Sequence, residues 1–235
     1  MARITKKYEE RKKEILQTAE FFFNTRGYQK TTIQNIINKL GIAKGTFYHY
    51  FKSKEDLLDQ LTENLSSQGC QIIKSIINKA GLSAVEKMRA ITKELGAFKA
   101  ERIQIMADLT KVIYSEKNIA MAQKMKEKNY RKMVPLFTKI IEQGNREGLF
   151  STPYPEEAAY FFLVIGEAVR DQLLKSINKE DTADSFYRKI EKKLKAGEYA
   201  ISKILGVDET LEIFNLELAG KLASAITVSR QKQKQ

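Results

Sequence analysis

Lys44, Gly45, Thr46, Tyr48 and His49 crowd into one short stretch, and Lys54 follows closely. The set is basic, hydroxylic and aromatic, and its chemistry is recognition rather than bond-making. A Lys ammonium pairs with phosphate, a Thr methyl can lie on a thymine methyl, and Tyr and His can reach phosphates or base edges. Gly45 carries no side chain, so a partner can approach the backbone there. Covalent chemistry has no comparable support. His49 and Cys70 are the only residues of their types, and one of each cannot complete a tetrahedral His/Cys metal site. With His49 in this group, no Ser-His-Asp or Cys-His arrangement can be assembled. No Gly-rich phosphate loop occurs. The Glu156/Glu157 pair follows Pro155 at a helix start, where capping and the helix dipole explain it. Cys70 reads as a small buried apolar residue. No enzyme activity, cofactor or metal is expected.

The elements that must position this group run from Thr31 to Leu58. Thr31, Thr32, Ile33 and Gln34 open a helix, with a Thr cap and Gln34 satisfying exposed amides reciprocally. Ile33, Ile36, Ile37 and Leu40 recur at three- and four-residue spacing, so they face one core. Gly41 ends the helix in a left-handed conformation, and Ile42 re-enters the core. Ala43 to His49 forms a second short helix, with Phe47 and Phe51 one turn apart on its buried side. Lys44, Gly45, Thr46, Tyr48 and His49 are left pointing outward. Ser53 and Asp56 start the next helix. Two short helices with a Gly-containing turn between them form a helix-turn-helix over residues 32–51. Its second helix would lie in the DNA major groove, and Thr32 joins the candidate contacts.

GIAKGTFYHYFKSKEDLL resembles the DNA-binding signature of the tetracycline-repressor (TetR) family of bacterial regulators. The resemblance covers about residues 9–69 with specific motifs, and the remainder by helix order. It implies phosphate contacts for Lys54 and Tyr48. The family usually places Ser or Thr where this chain has Ala43, so a cap worth about 1 kcal/mol is missing.

Charge points the same way. The chain carries a formal +12, and residues 1–56 hold twelve Lys/Arg against six acids. Half of the net charge therefore falls in about a quarter of the chain, beside the motif, which implies a polyanionic partner. Lys6, Lys7, Arg11, Lys12 and Lys13 crowd the start of a first helix expected from about Thr5 to Thr25. Positive charge there opposes the helix dipole, so the arm reads as a contact to the DNA backbone. Gly27 ends this helix, and Tyr28 packs under the motif. With three prolines and 43% hydrophobic residues, the composition favours a nearly all-helical chain with a sizeable core. No run of 18 apolar residues and no signal peptide is present, so a soluble, cytoplasmic protein without membrane contact is expected.

Beyond the motif the periodicity stays helical. A long helix is expected from Lys54 to about Asn78, with Leu57, Leu58, Leu61 and Leu65 inside and a possible bend at Gly69. Ser83 with Glu86 makes a capping box for the next. Further segments read as Ser83–Leu95, Phe98–Ser115, Ile119–Lys126 and Asn129–Gly144. Met106, Leu109, Ile113, Met125, Phe137 and Phe161 are candidates to line a pocket for an apolar effector, in a region where adaptable Met is frequent. Glu142–Ala159 again resembles the family, with Gly148 as a C-cap and Pro155 in a first helical turn. Tyr154–Ser176 is apolar nearly all round and must be covered on two sides. Ser185–Leu205 is the matching helix. Phe162, Ile165, Gly166, Val169, Ile190, Leu194, Gly197 and Ile201 are the candidate dimer-interface residues, Gly166 and Gly197 for close helix approach. The resemblance implies a four-helix dimer bundle built from these two helices. The family commonly stops soon after a segment like ISKILGVD, whereas here Asp208 can cap one more helix reaching about residue 228. Residues 229–235 read as a disordered basic tail.

The expectation is thus an all-α chain of about ten helices. Residues 1–53 form an N-terminal three-helix DNA-binding domain, and residues 54–228 a helical effector-binding and dimerisation domain. The resemblance implies a homodimeric, ligand-responsive repressor on a palindromic double-stranded operator, associated with the nucleoid when bound. Two recognition helices about 34–36 Å apart would fit successive major grooves. An effector would move the long helix after the motif and release the DNA. Two rivals stand beside this reading: an architectural DNA-binding protein without an effector, and a helical carrier or enzyme using the apolar pocket.

Overall fold

The computed structural model describes residues 2–102, 105, 119–176 and 183–214, and every regular element in them is a helix. In chain order these are α1 (Ala2–Arg26), α2 (Ile33–Leu40), α3 (Lys44–Tyr50), α4 (Lys54–Ile77), α5 (Ala84–Ala100), α6 (Ile119–Arg146), α7 (Pro155–Ser176) and α8 (Ala183–Leu205). Two compact units result, the first from residues up to Gln68 with Arg102 and Ile105, the second from residues 69–101 and the described residues from Ile119 on.

The first unit follows from the three- and four-residue spacing of its apolar side chains. Ile15, Leu16, Ala19, Phe22 and Phe23 of α1, Ile36 and Ile37 of α2, Phe47 and Phe51 around α3, and Leu57, Leu58 and Leu61 of α4 are all buried. Gly27 and Gly41 take left-handed backbone, φ 84° and 62°, after α1 and α2. Ile42 N–H closes the end of α2 on the Ile37 carbonyl at 3.2 Å, as a Schellman end requires. At the start of α4, Asp56 N–H donates to Ser53 Oγ at 3.1 Å and Lys52 N–H donates to Asp56 Oδ2 at 2.7 Å.

The second unit packs α5, α6, α7, α8 and the end of α4 around one core. Ile73, Ile76, Met88, Ile91, Phe137, Ile140, Phe162 and Ile201 are among its members. A polar cluster ties the α4–α5 turn to α6. The buried Lys87 ammonium donates to the Ile77 carbonyl at 2.7 Å and to Gln143 Oε1 at 2.9 Å. It thereby satisfies an otherwise orphaned carbonyl of the α4 end. Gln143 Nε2 donates to the Leu82 carbonyl, and Ala84 N–H donates to Glu147 Oε2. The Ser83–Glu86 capping box forms as expected, Gly148 stands at φ 71° after α6, and Pro155 opens α7.

Several expectations are corrected. The capping box of α2 uses Thr32 and Asn35, not Thr31 and Gln34. Thr31 is buried, and its hydroxyl donates to the Gly27 and Phe22 carbonyls at 2.9 and 3.3 Å. α5 runs past Leu95 to Ala100. The two segments expected at 119–126 and 129–144 are one helix, α6, because no Gly or Pro interrupts the chain between them and Pro135 is accommodated in its interior. Residues 208–214 are not helical. Asp208 caps no helix there; the segment instead buries alternate residues, Leu211 and Ile213. Most of the expected 98–115 helix, the remainder of the expected C-terminal helix and the 229–235 tail lie outside the described residues, so eight helices are seen among those described, against about ten expected.

Gly144 shows how tightly α6 meets the turn that follows it. A Cβ at this position would fall 2.0 Å from Cδ2 of the buried Phe150 ring. Gly144→Ala should destabilise the second unit by about 1–3 kcal/mol through overpacking, read as a lower urea midpoint at unchanged m-value.

Candidate nucleic-acid interface

α3 has only seven residues, and its N-cap, Ala43, makes no side-chain cap bond. What holds the helix is its inner face. Phe47 and Phe51 are both fully buried, their rings 5.7 Å apart. Burial of each ring is worth about 1.5–3 kcal/mol. Since Phe47 points inward, its neighbours are displayed: Lys44, Gly45, Tyr48 and His49 are exposed, and Thr46 is half-buried. Tyr48 is 45% exposed, with its ring edge-on to Phe47 at 5.5 Å. Nothing lies within 4 Å of where a Gly45 Cβ would stand. The glycine therefore answers to no packing demand inside the chain.

The structure brings most of the expected contact residues onto α3 and its flanks, and several of them are already engaged. His49 packs edge-on against Tyr8 of α1 at 5.8 Å and against Tyr50 at 5.2 Å. Tyr8 and Tyr50 lie 4.6 Å apart. This aromatic group joins α1 to α3, and the sequence reading missed it: Tyr8 and His49 are far apart in the chain, and no local pattern pairs them. Thr32 sits at the exposed start of α2, where its hydroxyl accepts from Asn35 N–H at 3.1 Å.

Lys54 is engaged as well. Its ammonium stands 4.1 Å over the Tyr28 ring and donates to the Gln29 carbonyl at 3.5 Å. Tyr28 is buried, as expected, edge-on to Phe23 at 5.2 Å. Its phenol donates to Glu55 Oε1 at 3.5 Å. Burial, reinforced by the Glu55 carboxylate, pushes the Tyr28 phenol up to about 12. Glu55 itself is held below its ordinary range, first by its own backbone N–H and then by Ser53. Lys54 and Glu55 thus fasten the first turn of α4 to the loop before α2. On α1, Arg11 is paired with Glu14 at 2.7 Å, both half in solvent.

The other predicted sites fare differently. Of the pocket residues, Met106, Leu109 and Ile113 lie outside the described residues. Met125 is half-buried, and Phe137 is buried against Phe162 with ring centroids 4.8 Å apart. Phe161 is 49% exposed, so the chain does not bring it to Phe137 on one lining. A polar group the sequence did not reveal joins α6 to α7: the Tyr130 phenol donates to Glu167, and Lys126 Nζ lies 3.0 Å from the same carboxylate. Among the dimer candidates, Phe162, Val169, Leu194, Gly197 and Ile201 are buried within the protomer. A Cβ at Gly197 would meet Val169 Cγ2 at 2.6 Å, so this glycine serves the close approach of α7 to α8. Ile165 and Gly166 are half-buried, Gly166 with open space at its Cα, and the Ile190 side chain lies outside the described ones. Among the described side chains of the same helices, the exposed aromatics are Tyr160, Phe161 and Tyr199.

Residues 15–61 match the family model described as bacterial regulatory proteins, tetR family, and residues 100–188 match a tetracyclin repressor-like C-terminal domain. The chain is 24% identical over 168 residues to the HTH-type transcriptional repressor KstR2 of Mycobacterium tuberculosis, covering 69% of this chain and 80% of that one. It is 42% identical over 60 residues to the uncharacterized HTH-type regulator YvdT of Bacillus subtilis, 26% of this chain and 31% of that one. Among solved structures, a transcriptional regulator from Cytophaga hutchinsonii shares the fold with TM-score 0.64 at 20% identity, covering 81% of this chain and 96% of that one. A TetR-family regulator from Pectobacterium atrosepticum gives 0.63 at 18% identity, with 84% and 95% covered.

Inner and outer faces of α3 should respond differently to substitution. Phe47→Ala should destabilise the first unit by about 3–5 kcal/mol. Gly45→Ala should leave its stability unchanged or raise it by up to about 1 kcal/mol, because Ala is the better helix former. Thermal denaturation of both variants checks this.

Proposed function

Because the chain belongs to the TetR family of bacterial regulatory proteins, and is therefore a non-enzymatic DNA-binding transcriptional regulator, we propose that it acts as a homodimeric repressor on a palindromic operator and is released by a small apolar effector. The observation that carries the DNA reading is the split of α3. A fully buried Phe47 fixes the helix, and that leaves Lys44, Gly45, Thr46 and Tyr48 displayed with no packing role for Gly45. Bare backbone at Gly45 admits the DNA, Thr46 takes a base or methyl contact, and Tyr48 takes a phosphate. His49, packed against Tyr8 and Tyr50, acts by setting the position of α1 beside α3. Lys54 presents its ammonium to phosphate from a site held by Tyr28 and Gln29.

The dimer reading moves to a different face of the expected helices. With Phe162, Val169 and Ile201 inside the protomer, the surface offered to a second copy is the outer stripe Phe161, Ile165 and Ala168 of α7, with Tyr199 of α8. Effector binding in the second unit then acts on DNA through α4, whose residues are shared between the units. Linkage requires the effector to prefer the DNA-free state, and a coupling of about 1–3 kcal/mol gives a 5–150-fold effect.

Selection of bound fragments from the source genome by the purified protein is the direct test, and recovery of one shared palindrome is the expected result. On that operator, Thr46→Ala should relax preference at one position with about 1–3 kcal/mol lost there. Tyr48→Ala should lower affinity across all sequences alike. For Lys54→Ala the log–log salt slope should shrink by about 0.9, the signature of one lost phosphate contact. Wild-type affinity and preference in all three variants would show that α3 does not face DNA.

For the dimer, Phe161→Asp should leave the circular dichroism of the chain intact and shift its sedimentation to that of a monomer. A charge at Ile201, by contrast, enters the core and should unfold the second unit. A Phe161→Asp chain that still sediments as a dimer would remove the outer stripe of α7 from the interface.

A further inference from the structure

Residues 207–214 follow α8 without forming a helix, yet they are firmly held. Leu211 and Ile213 are buried at 5% and 2% exposure, while Glu212 between them is exposed. The non-helical segment thus seats Leu211 and Ile213 on the second unit on either side of a left-handed residue, Glu212. Two charged side chains from two helices grip its backbone. Arg89 of α5 donates from Nε to the Leu211 carbonyl at 2.9 Å, and Glu198 of α8 accepts the Phe214 N–H at 3.2 Å. The Phe214 ring lies where Gly197 leaves room: a Cβ there would stand 3.3 Å from Phe214 Cε2.

Three features mark this as a seat with an occupant rather than ordinary core. Glu198 is 7% exposed, a buried carboxylate whose partner among the described residues is a backbone amide of the segment itself. One turn further along the same face of α8, the Ser202 hydroxyl is buried with no hydrogen-bond partner among the described residues. Glu212 adopts φ 49°, left-handed backbone in a non-glycine residue, a strained conformation that the surroundings impose. Leaving the seat relieves that strain; staying satisfies Glu198.

We propose that α5 and α8 form a binding site for a non-helical apolar peptide segment, occupied in cis by the chain's own Leu211–Phe214 as a releasable strap. The chemistry of the site defines what it takes: a carbonyl for the Arg89 guanidinium, an amide N–H or amine for Glu198, and alternate apolar side chains between them. The two hydrogen bonds act on main-chain atoms, and Arg89 also lies 3.7 Å from the exposed Glu212 carboxylate, so recognition depends chiefly on backbone shape and on two apolar positions.

The test uses the full-length chain and does not depend on DNA binding. By native-state hydrogen exchange, the Phe214 amide should exchange through a local opening, faster than the core amides of α8 and with little denaturant dependence. Exchange of Phe214 only through global unfolding would make the segment permanent core and overturn the proposal. In trans, a fluorescein-labelled peptide spanning Asp208–Phe214 should bind Ile213→Asp, whose own strap is unseated, at least about tenfold tighter than wild type, since the cis segment competes at high effective concentration. Adding Arg89→Ala and Glu198→Leu should abolish that binding. Phe214→Pro, which removes the N–H without adding charge, serves as the second unseated variant if Ile213→Asp fails to fold. A folded unseated variant that binds no peptide, or binds it regardless of Arg89 and Glu198, would also overturn the proposal.

Discussion

A seven-residue helix with no capping side chain is too short to stand alone in water. α3 exists because Phe47 and Phe51 are buried beneath it. The rest of the first unit is arranged to make that burial possible. α1 supplies Ile15, Phe22 and Phe23, α2 supplies Ile36 and Ile37, and the first turns of α4 supply Leu57, Leu58 and Leu61. The outward direction of Lys44, Thr46 and Tyr48 is then a by-product of which ring points in. Under the proposed DNA reading, recognition and folding energy fall on alternate faces of the same two turns.

Around that centre, polar side chains fix the ends of elements rather than their middles. Thr31 ties the loop before α2 to the Gly27 and Phe22 carbonyls, Lys54 rests on Tyr28, and Glu55 accepts the Tyr28 phenol. In the second unit Lys87 closes the end of α4 on the Ile77 carbonyl, with Gln143 and Glu147 holding the start of α5. Thr31 and Lys87 satisfy carbonyls that helix ends leave open, and Glu147 an amide at the start of α5. Their common effect is to set where each helix begins and stops, and so the direction in which it projects.

The sequence carried the fold where the signal is periodic and local. Ile36, Ile37, Phe47, Phe51 and the Leu57–Leu65 stripe announce their faces by spacing, and Gly27, Gly41, Gly148 and Pro155 mark ends by their own backbone preferences. It failed where two equivalent choices are separated by contacts distant in the chain. Thr31 and Thr32 are both competent caps, and only the Phe22 and Gly27 carbonyls draw Thr31 inward and leave Thr32 to cap. Phe161 and Phe162 are adjacent on a helix apolar all round; Phe137 takes Phe162 and so turns Phe161 out. For the same reason the residues displayed on α3 were legible, but the Tyr8–His49 and Lys54–Tyr28 contacts that hold them in place were not. Amphipathic spacing after Asp208 suggests a helix, whereas Arg89 and Glu198 hold the backbone in a non-helical form.

The strap over α5 and α8 also bears on how related chains can be compared. Its two hydrogen bonds reach main-chain oxygen and nitrogen, so those bonds do not themselves name a residue type. Its sequence is free to drift while its shape is retained. The evolutionary trace of such a segment would then lie outside it, in a helix-borne guanidinium, a buried carboxylate and a glycine at the positions of Arg89, Glu198 and Gly197. A search for the strap by its own residues would miss it in distant relatives, and a search for its seat would find it.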